Sequence, residues 1–127
     1  MAFTPRIDEP ELSAWWAGLV AICEDEATQA PEPQQRVLHL TEAARICLEE
    51  LGNPEKAIGL YQAALALDQH REDASRGLVR AFKGLERWRE AAEVLLEMQN
   101  TGKSIPERMS AGLERAKILV DHLGERA

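Results

Sequence analysis

The sequence predicts an all-α fold of about six helices that pack as antiparallel pairs. Its 127 residues are rich in Ala and Leu and only 5% aromatic, which favours helices over strands. Apolar residues recur three and four positions apart in nearly every segment, and no segment alternates with the period of two that strands require. Short segments with Pro, Gly or Asn separate these stripes, so consecutive helices should lie antiparallel.

The stripes predict helices near residues 11–28, 36–51, 54–68, 72–85, 88–100 and 106–123, preceded by an N-terminal arm of residues 1–10. Asp8-Glu9-Pro10-Glu11 opens the first of them. The segment 29–35 holds two prolines and no periodic apolar residue, so it is predicted to be one of two long connections. The other is 101–105.

Local signals at four of the helix boundaries support these positions. Asn53-Pro54-Glu55 combines an N-cap residue, a proline at the first helical position and a carboxylate near the positive end of the helix. Ser104 and Glu107 have the spacing of a capping box around Pro106. Gly52 and Gly102 are expected to end the helices that precede them.

The chain also contains an internal repeat. A shift of 72 residues aligns 16–52 with 88–124 without a gap, and seven of the 37 aligned positions are identical, among them Trp16 with Trp88. The apolar stripes stay in phase, and the unit between the two copies, about 38–71, is 34 residues long. A helix pair of that length cannot bury its own apolar face, so the copies are expected to stack as a solenoid.

Residues 51–68 resemble the tetratricopeptide repeat (TPR) family. Gly52 matches the turn glycine of the family, Ala57 and Ala64 match the small residues where helices cross, and Tyr61 matches the aromatic residue of the second helix. A second copy departs from the pattern, because Glu86 replaces the turn glycine and Met98 the second alanine. The resemblance covers 12–124, with helix pairs at about 36–68 and 72–100 and partial repeats at 11–28 and 106–123. It implies a right-handed superhelical solenoid and a non-catalytic protein–protein interaction module, a scaffold or adaptor.

In this family the first helix of each pair lines the inner groove. The residue after each small residue faces the groove in the family pattern, which gives Arg45, Arg80 and Lys117, and Arg76 and Lys83 lie one turn to either side of Arg80. The resemblance therefore implies a basic groove that binds a peptide or helix of a partner protein, favouring acidic segments. The other interpretation is a solvated face whose cations are neutralised by acidic residues of the same helices, Glu42, Glu49 or Glu114.

The charge balance limits the classes of partner. With 22 acidic and 15 basic side chains, the chain carries a formal charge of −7, which disfavours binding to nucleic acid or anionic lipid. RNA-binding pentatricopeptide repeats share the helix-pair design, and this charge counts against them. The longest apolar run, ten residues from Ala14 to Cys23, is too short to span a membrane.

The sequence contains no recognisable catalytic or metal-binding motif. Cys23 and Cys47 lie on apolar stripes and are interpreted as core residues of a cytoplasmic protein, not as nucleophiles or a disulfide framework. His39, His70 and His122 are far apart and have no metal-ligand spacing. The sequence therefore predicts no metal, no cofactor and no enzymatic activity.

Two features point to the ends of the array. Trp15 lies one residue off the face of Trp16, so either Phe3 or Ile7 of the arm covers it or it anchors another chain. By the repeat register the first helix is the second member of a pair and the last helix is the first member of another. The apolar face of the last helix comprises Met109, Leu113, Ala116, Leu119, Val120 and Leu123. We expect a fragment of a longer array or a homo-oligomer, unless the arm and the last helix cover these faces within a monomer.

Overall fold

Six α-helices connected by short turns make up the part of the chain that the computed structural model describes, residues 9–124. They are α1 (Glu9–Gln29), α2 (Pro33–Glu49), α3 (Pro54–Leu67), α4 (Glu72–Gly84), α5 (Trp88–Thr101) and α6 (Ile105–Asp121). These residues contain no strand, which confirms the predicted all-α fold. Most of the predicted arm, residues 1–8, lies outside the described residues, and α1 begins at Glu9.

The prediction that segments 29–35 and 101–105 form long connections is wrong. The connection between α1 and α2 is only residues 30–32 and that between α5 and α6 only residues 102–104, so neither is longer than the other turns of the molecule. In the first case, Pro33 occupies the start of α2, where a proline loses no helical hydrogen bond because the first N–H groups of a helix have no intrahelical acceptor. Gln34 and Gln35 therefore belong to the helix. In the second, α6 begins at Ile105, directly after its N-cap residue Ser104.

The predicted caps form. The side chain of Asn53 accepts a hydrogen bond from the backbone N–H of Lys56 at 3.2 Å, and that of Ser104 accepts one from Glu107 at 3.2 Å. Gly52 follows the end of α2 with φ +60°, a left-handed conformation that glycine adopts without steric cost. These contacts fix where α3 and α6 begin and hold each chain reversal to three or four residues.

Each helix packs against its neighbours along the chain, and α2 additionally contacts α4. No corresponding contact joins α3 to α5 within residues 9–124. The helices therefore form two layers, with α2, α4 and α6 in one and α1, α3 and α5 in the other. Within residues 9–124, α2 and α4 are the two helices of one layer that approach each other most closely.

Alanine dominates the points where the helices meet. Ala43 and Ala44 of α2, Ala57 of α3 and Ala91 of α5 are all fully buried. Larger side chains fill the space between these crossings, chiefly Tyr61, Ile46, Leu95, Val20 and Val37. Small residues at the crossings let the helices approach closely, and close packing of the larger ones supplies most of the stabilisation.

Candidate functional site: the charged face of α2, α4 and α6

The five cations predicted to line a groove all lie on the helices of one layer. Arg45 is on α2, Arg76, Arg80 and Lys83 are on α4, and Lys117 is on α6. We call the surface that carries them the charged face. Four of the five share carboxylate partners across or along these helices, so the structure brings them together.

Glu49 of α2 connects the first two helices of this face. One of its carboxylate oxygens lies 3.1 Å from Nη1 of Arg45, and the other lies 3.1 Å from Nη1 of Arg80 on α4. Arg45 also donates hydrogen bonds to Glu42, which lower the pKa of Glu42 and raise that of Arg45. Both groups of the pair consequently remain ionised across the neutral pH range.

Glu114 of α6 plays the same role between α4 and α6. Lys83 Nζ lies 2.9 Å from one of its oxygens, and Arg76 Nη1 lies 3.6 Å from the other. Arg76 is also paired with Glu72 of its own helix at 3.3 Å. Two carboxylates, Glu49 and Glu114, thus join the three helices of the charged face.

An open depression of about 730 Å³ lies between α4 and α6. Lys83, Glu114 and Lys117 contribute its charged groups, and Met109 and Leu113 contribute apolar surface. A depression of this composition can accept an apolar side chain together with a carboxylate. Lys117 is exposed at its edge, where no ion pair within residues 9–124 engages it.

The ion pairs named in the second interpretation of this face do form, because Glu42, Glu49 and Glu114 each contact a cation. Neutralisation does not remove the cations from solvent, since the side chain of Arg80 is 57% exposed. An exposed ion pair contributes little stability, about 0–1 kcal/mol, so another carboxylate can replace the internal one at small cost.

One residue of this face was missed by the sequence analysis. Leu38 lies four residues before Glu42, in the helical register of Arg45 and Glu49, and it is an exposed apolar side chain. The helical spacing that predicts the positions of the cations also predicts that of Leu38, but the sequence analysis considered only charged residues on this face. Leu38 extends the charged face with an apolar contact point at its α2 end.

Trp15 lies on the opposite layer, on α1, and does not belong to the charged face. Its side chain is 58% exposed and meets Trp16 edge to face, with ring centroids 4.6 Å apart. Phe3 and Ile7, the arm residues that could cover it, lie outside the described residues.

The cysteines and histidines have surroundings that fit structural roles. Burial raises the pKa of the thiols of Cys23 and Cys47, which keeps them in the unreactive protonated form. The ring of His122 stacks on Trp88 at the α5–α6 end, with centroids 3.6 Å apart. Between residues 9 and 124 no group of His, Cys, Asp and Glu side chains could hold a metal ion.

Stacked antiparallel helix pairs with small residues at their crossings define a helical repeat protein. A family model described as tetratricopeptide repeat matches residues 48–104, which span the end of α2, all of α3 to α5 and the turn into α6. The match confirms the predicted resemblance to the tetratricopeptide repeat family over these residues. Repeats of this family generally mediate protein–protein interactions and are typically non-catalytic.

Comparison with curated proteins and with solved structures found no significant match to the chain. No helix among residues 9–124 is both long and apolar enough to cross a bilayer.

Proposed function

We propose that the chain is a non-catalytic scaffold that binds a segment of a partner protein, a peptide or a helix, on the charged face. The observation that carries this proposal is the convergence of cations from three helices on one surface, with Arg80 and Lys117 both exposed to solvent. A rigid face built on alanine-rich crossings would bind such a segment with little loss of its own conformational freedom.

An acidic segment fits this surface best. Its carboxylates could replace Glu49 and Glu114 as partners of Arg80 and Lys83, and those exposed internal pairs are weak enough to be exchanged. An apolar side chain of the same segment could enter the depression beside Met109 and Leu113. Cys23 and Cys47 are free thiols, which supports a reducing compartment such as the cytoplasm for this interaction.

The test uses a fluorescein-labelled peptide of alternating Glu and Leu as a probe, with binding measured by fluorescence anisotropy. Reversal of three cations, Arg45→Glu, Arg80→Glu and Lys117→Glu, should weaken binding more than tenfold while circular dichroism stays unchanged. Lys56→Glu is the matched control, because Lys56 is an exposed, ion-paired cation on α3 in the other layer.

Equal binding by the triple variant and the native chain would refute the assignment of the charged face. A labelled single-stranded RNA serves as the second probe. Salt-sensitive binding of this RNA by the native chain, lost in the triple variant, would replace the protein partner with a nucleic acid.

A second candidate function is self-assembly, in which copies of the chain associate through the open ends of the helix array. The observation that favours it is the exposure of the apolar side chains Ile105, Met109, Leu113 and Val120 on α6, which are between 55% and 70% exposed. A contiguous apolar face of this kind on a surface helix marks an interaction site. A concentration series in sedimentation velocity tests this function directly, because a constant monomer mass would exclude it.

A further inference from the structure

The end of α6 has the same backbone geometry as the end of α2. Leu51-Gly52 and Leu123-Gly124 are 72 residues apart, and the two glycines have φ +60° and +65°. The same hydrogen bonds close both helices: the N–H groups of Glu50 and Leu51 donate to the carbonyl of Ile46, and those of His122 and Leu123 donate to the carbonyl of Ile118. Since α2 continues through this turn into α3, α6 ends in the manner of a helix that precedes a second helix of a pair.

The apolar face of α6 matches positions that are covered in α2. By the same 72-residue shift, Met109 corresponds to Val37 and Ala116 to Ala44, and both α2 residues are buried whereas both α6 residues are exposed. Val37 lines a crevice with Leu67 at the end of α3, so α3 is the element that covers this part of α2.

The neighbours of the two helices explain this difference. α6 packs on α5 as α2 packs on α1, but within residues 9–124 nothing takes the place that α3 has on α2. We call the uncovered surface the α6 seat; its residues are Ile105, Met109, Leu113, Ala116 and Val120. By the 72-residue shift, this surface corresponds to the part of α2 on which α3, the second helix of its pair, packs.

α1 is a helix of the type that such a seat accepts. The 72-residue shift aligns it with α5, the second helix of its own pair, and superimposes Trp16 on Trp88. Although α1 packs on α2, the side chains of Leu12, Trp15 and Ile22 remain exposed, with Ile22 59% accessible. These three side chains, at positions i, i+3 and i+10, form an apolar stripe that we call the α1 face.

The charges beside the two surfaces are complementary. α1 carries no Lys or Arg, and Glu11, Asp25 and Glu26 are exposed on it. The α6 seat is interleaved with cations, since Arg108, Arg115 and Lys117 lie between its apolar residues along the helix. In an antiparallel pair the acidic C-terminal turns of α1 would meet the N-terminal half of α6, where Arg108 lies.

We propose that the α6 seat binds helix α1 of a second copy of this chain, so that the two helices complete a repeat between copies. The inference rests on the self-assembly candidate, and because Met109 and Leu113 also line the depression beside the charged face, occupation of the α6 seat would compete with a partner segment there. The contact joins two different surfaces, so each dimer keeps one unused α6 seat and one unused α1 face. Such a contact is heterologous, and the assembly grows by end-to-end addition.

Two variants, each altered on one surface, test this geometry. Met109→Glu/Leu113→Glu places carboxylates in the α6 seat opposite the acidic α1, and Trp15→Lys/Ile22→Lys places cations on the α1 face opposite the basic α6. The altered side chains are all more than half exposed, so both variants should retain the native helicity. Leu38→Glu is the matched control, since Leu38 is 53% exposed and lies on neither surface.

The masses are measured by sedimentation velocity over a hundredfold concentration range. The native chain and Leu38→Glu should grow beyond a dimer as concentration rises, whereas each double variant alone should remain a monomer. A mixture of the two double variants should form a dimer and nothing larger, because one partner still has its α6 seat and the other its α1 face.

Three results would overturn the proposal, and they separate it from self-assembly in general. A native chain that stays monomeric throughout refutes self-assembly and this contact together. Association of the Trp15→Lys/Ile22→Lys variant with itself, while the Met109→Glu/Leu113→Glu variant stays monomeric, would show that two α6 seats meet each other, and self-assembly would stand without the α1–α6 contact. Association undiminished in both variants would place the interface elsewhere on the chain.

Discussion

Gly77 on α4 lies against the ring of Tyr61 on α3, and this contact makes glycine necessary in the middle of a helix. A Cβ atom at position 77 would lie 2.5 Å from Oη of Tyr61 and 2.6 Å from its Cε1. Tyr61 is 1% exposed and belongs to the largest buried side chains of the core, so its ring has no space into which it can move. Gly77→Ala therefore tests how closely α3 and α4 pack.

Two opposing contributions set the size of the effect. Alanine in a helix interior is about 1 kcal/mol more favourable than glycine. Insertion of a methyl group into a packed core costs about 1–3 kcal/mol. Because Tyr61 cannot yield, we expect the upper part of that range and a net loss of about 1–2 kcal/mol in the free energy of unfolding. In a domain of this size such a loss lowers Tm by roughly 3–10 °C.

Urea denaturation followed by circular dichroism measures the difference, and Gly59→Ala is the control. Gly59 lies in the middle of α3, and no atom lies within 4 Å of an added Cβ, so the same substitution should stabilise the protein by about 0.5–1 kcal/mol. In a Tyr61→Leu background the penalty of Gly77→Ala should disappear. Equal stabilisation by Gly77→Ala and Gly59→Ala would refute the close approach of the two helices.

Two further predictions concern the repeat itself. Ala57 is fully buried on α3, and Ala57→Leu should overpack its crossing and lower the free energy of unfolding by about 1–3 kcal/mol; an unchanged Tm would mean that the repeat register is misassigned. Glu86 replaces the turn glycine and has φ +57°. Relief of that strain, about 1–2 kcal/mol, exceeds the entropic cost of glycine, about 0.5–1 kcal/mol, so Glu86→Gly should stabilise the protein by about 0.5–1 kcal/mol in the same urea assay. Glu86→Ala keeps the Cβ atom and should give no such gain.

Most of the fold could be predicted because the signals were local. The periodic apolar residues and the caps at Asn53 and Ser104 fix where helices lie, and the geometry of Gly52 and Glu86 follows from the turn that the family pattern places there. The start of α2 was missed because Pro33 is compatible both with a loop and with the first turn of a helix. Only the packing of Val37 and the rest of α2 distinguishes the two.

The candidate site was less predictable, because it depends on contacts between helices. The sequence placed Arg45 and Arg80 on one surface but could not show that Glu49 is shared by both, since that depends on the distance between α2 and α4. The approach of Gly77 to Tyr61 is of the same kind. The apolar stripe of a helix predicts which of its side chains face inward. The distance between two helices, in contrast, depends on the packing of all the residues between them.

The contact pattern of the helices has a consequence for the rate of folding. The helices of residues 9–124 whose backbones pack closely are adjacent in the chain, apart from α2 and α4, and other links between non-adjacent helices are side-chain ion pairs. The mean sequence separation of contacting residues is therefore small, and chains of this kind close only short loops and fold in microseconds to milliseconds. Each outer helix packs on a single neighbour, whereas α2 and α4 each pack on three helices, so amide hydrogens should exchange first at the ends of the array and last in α2 and α4.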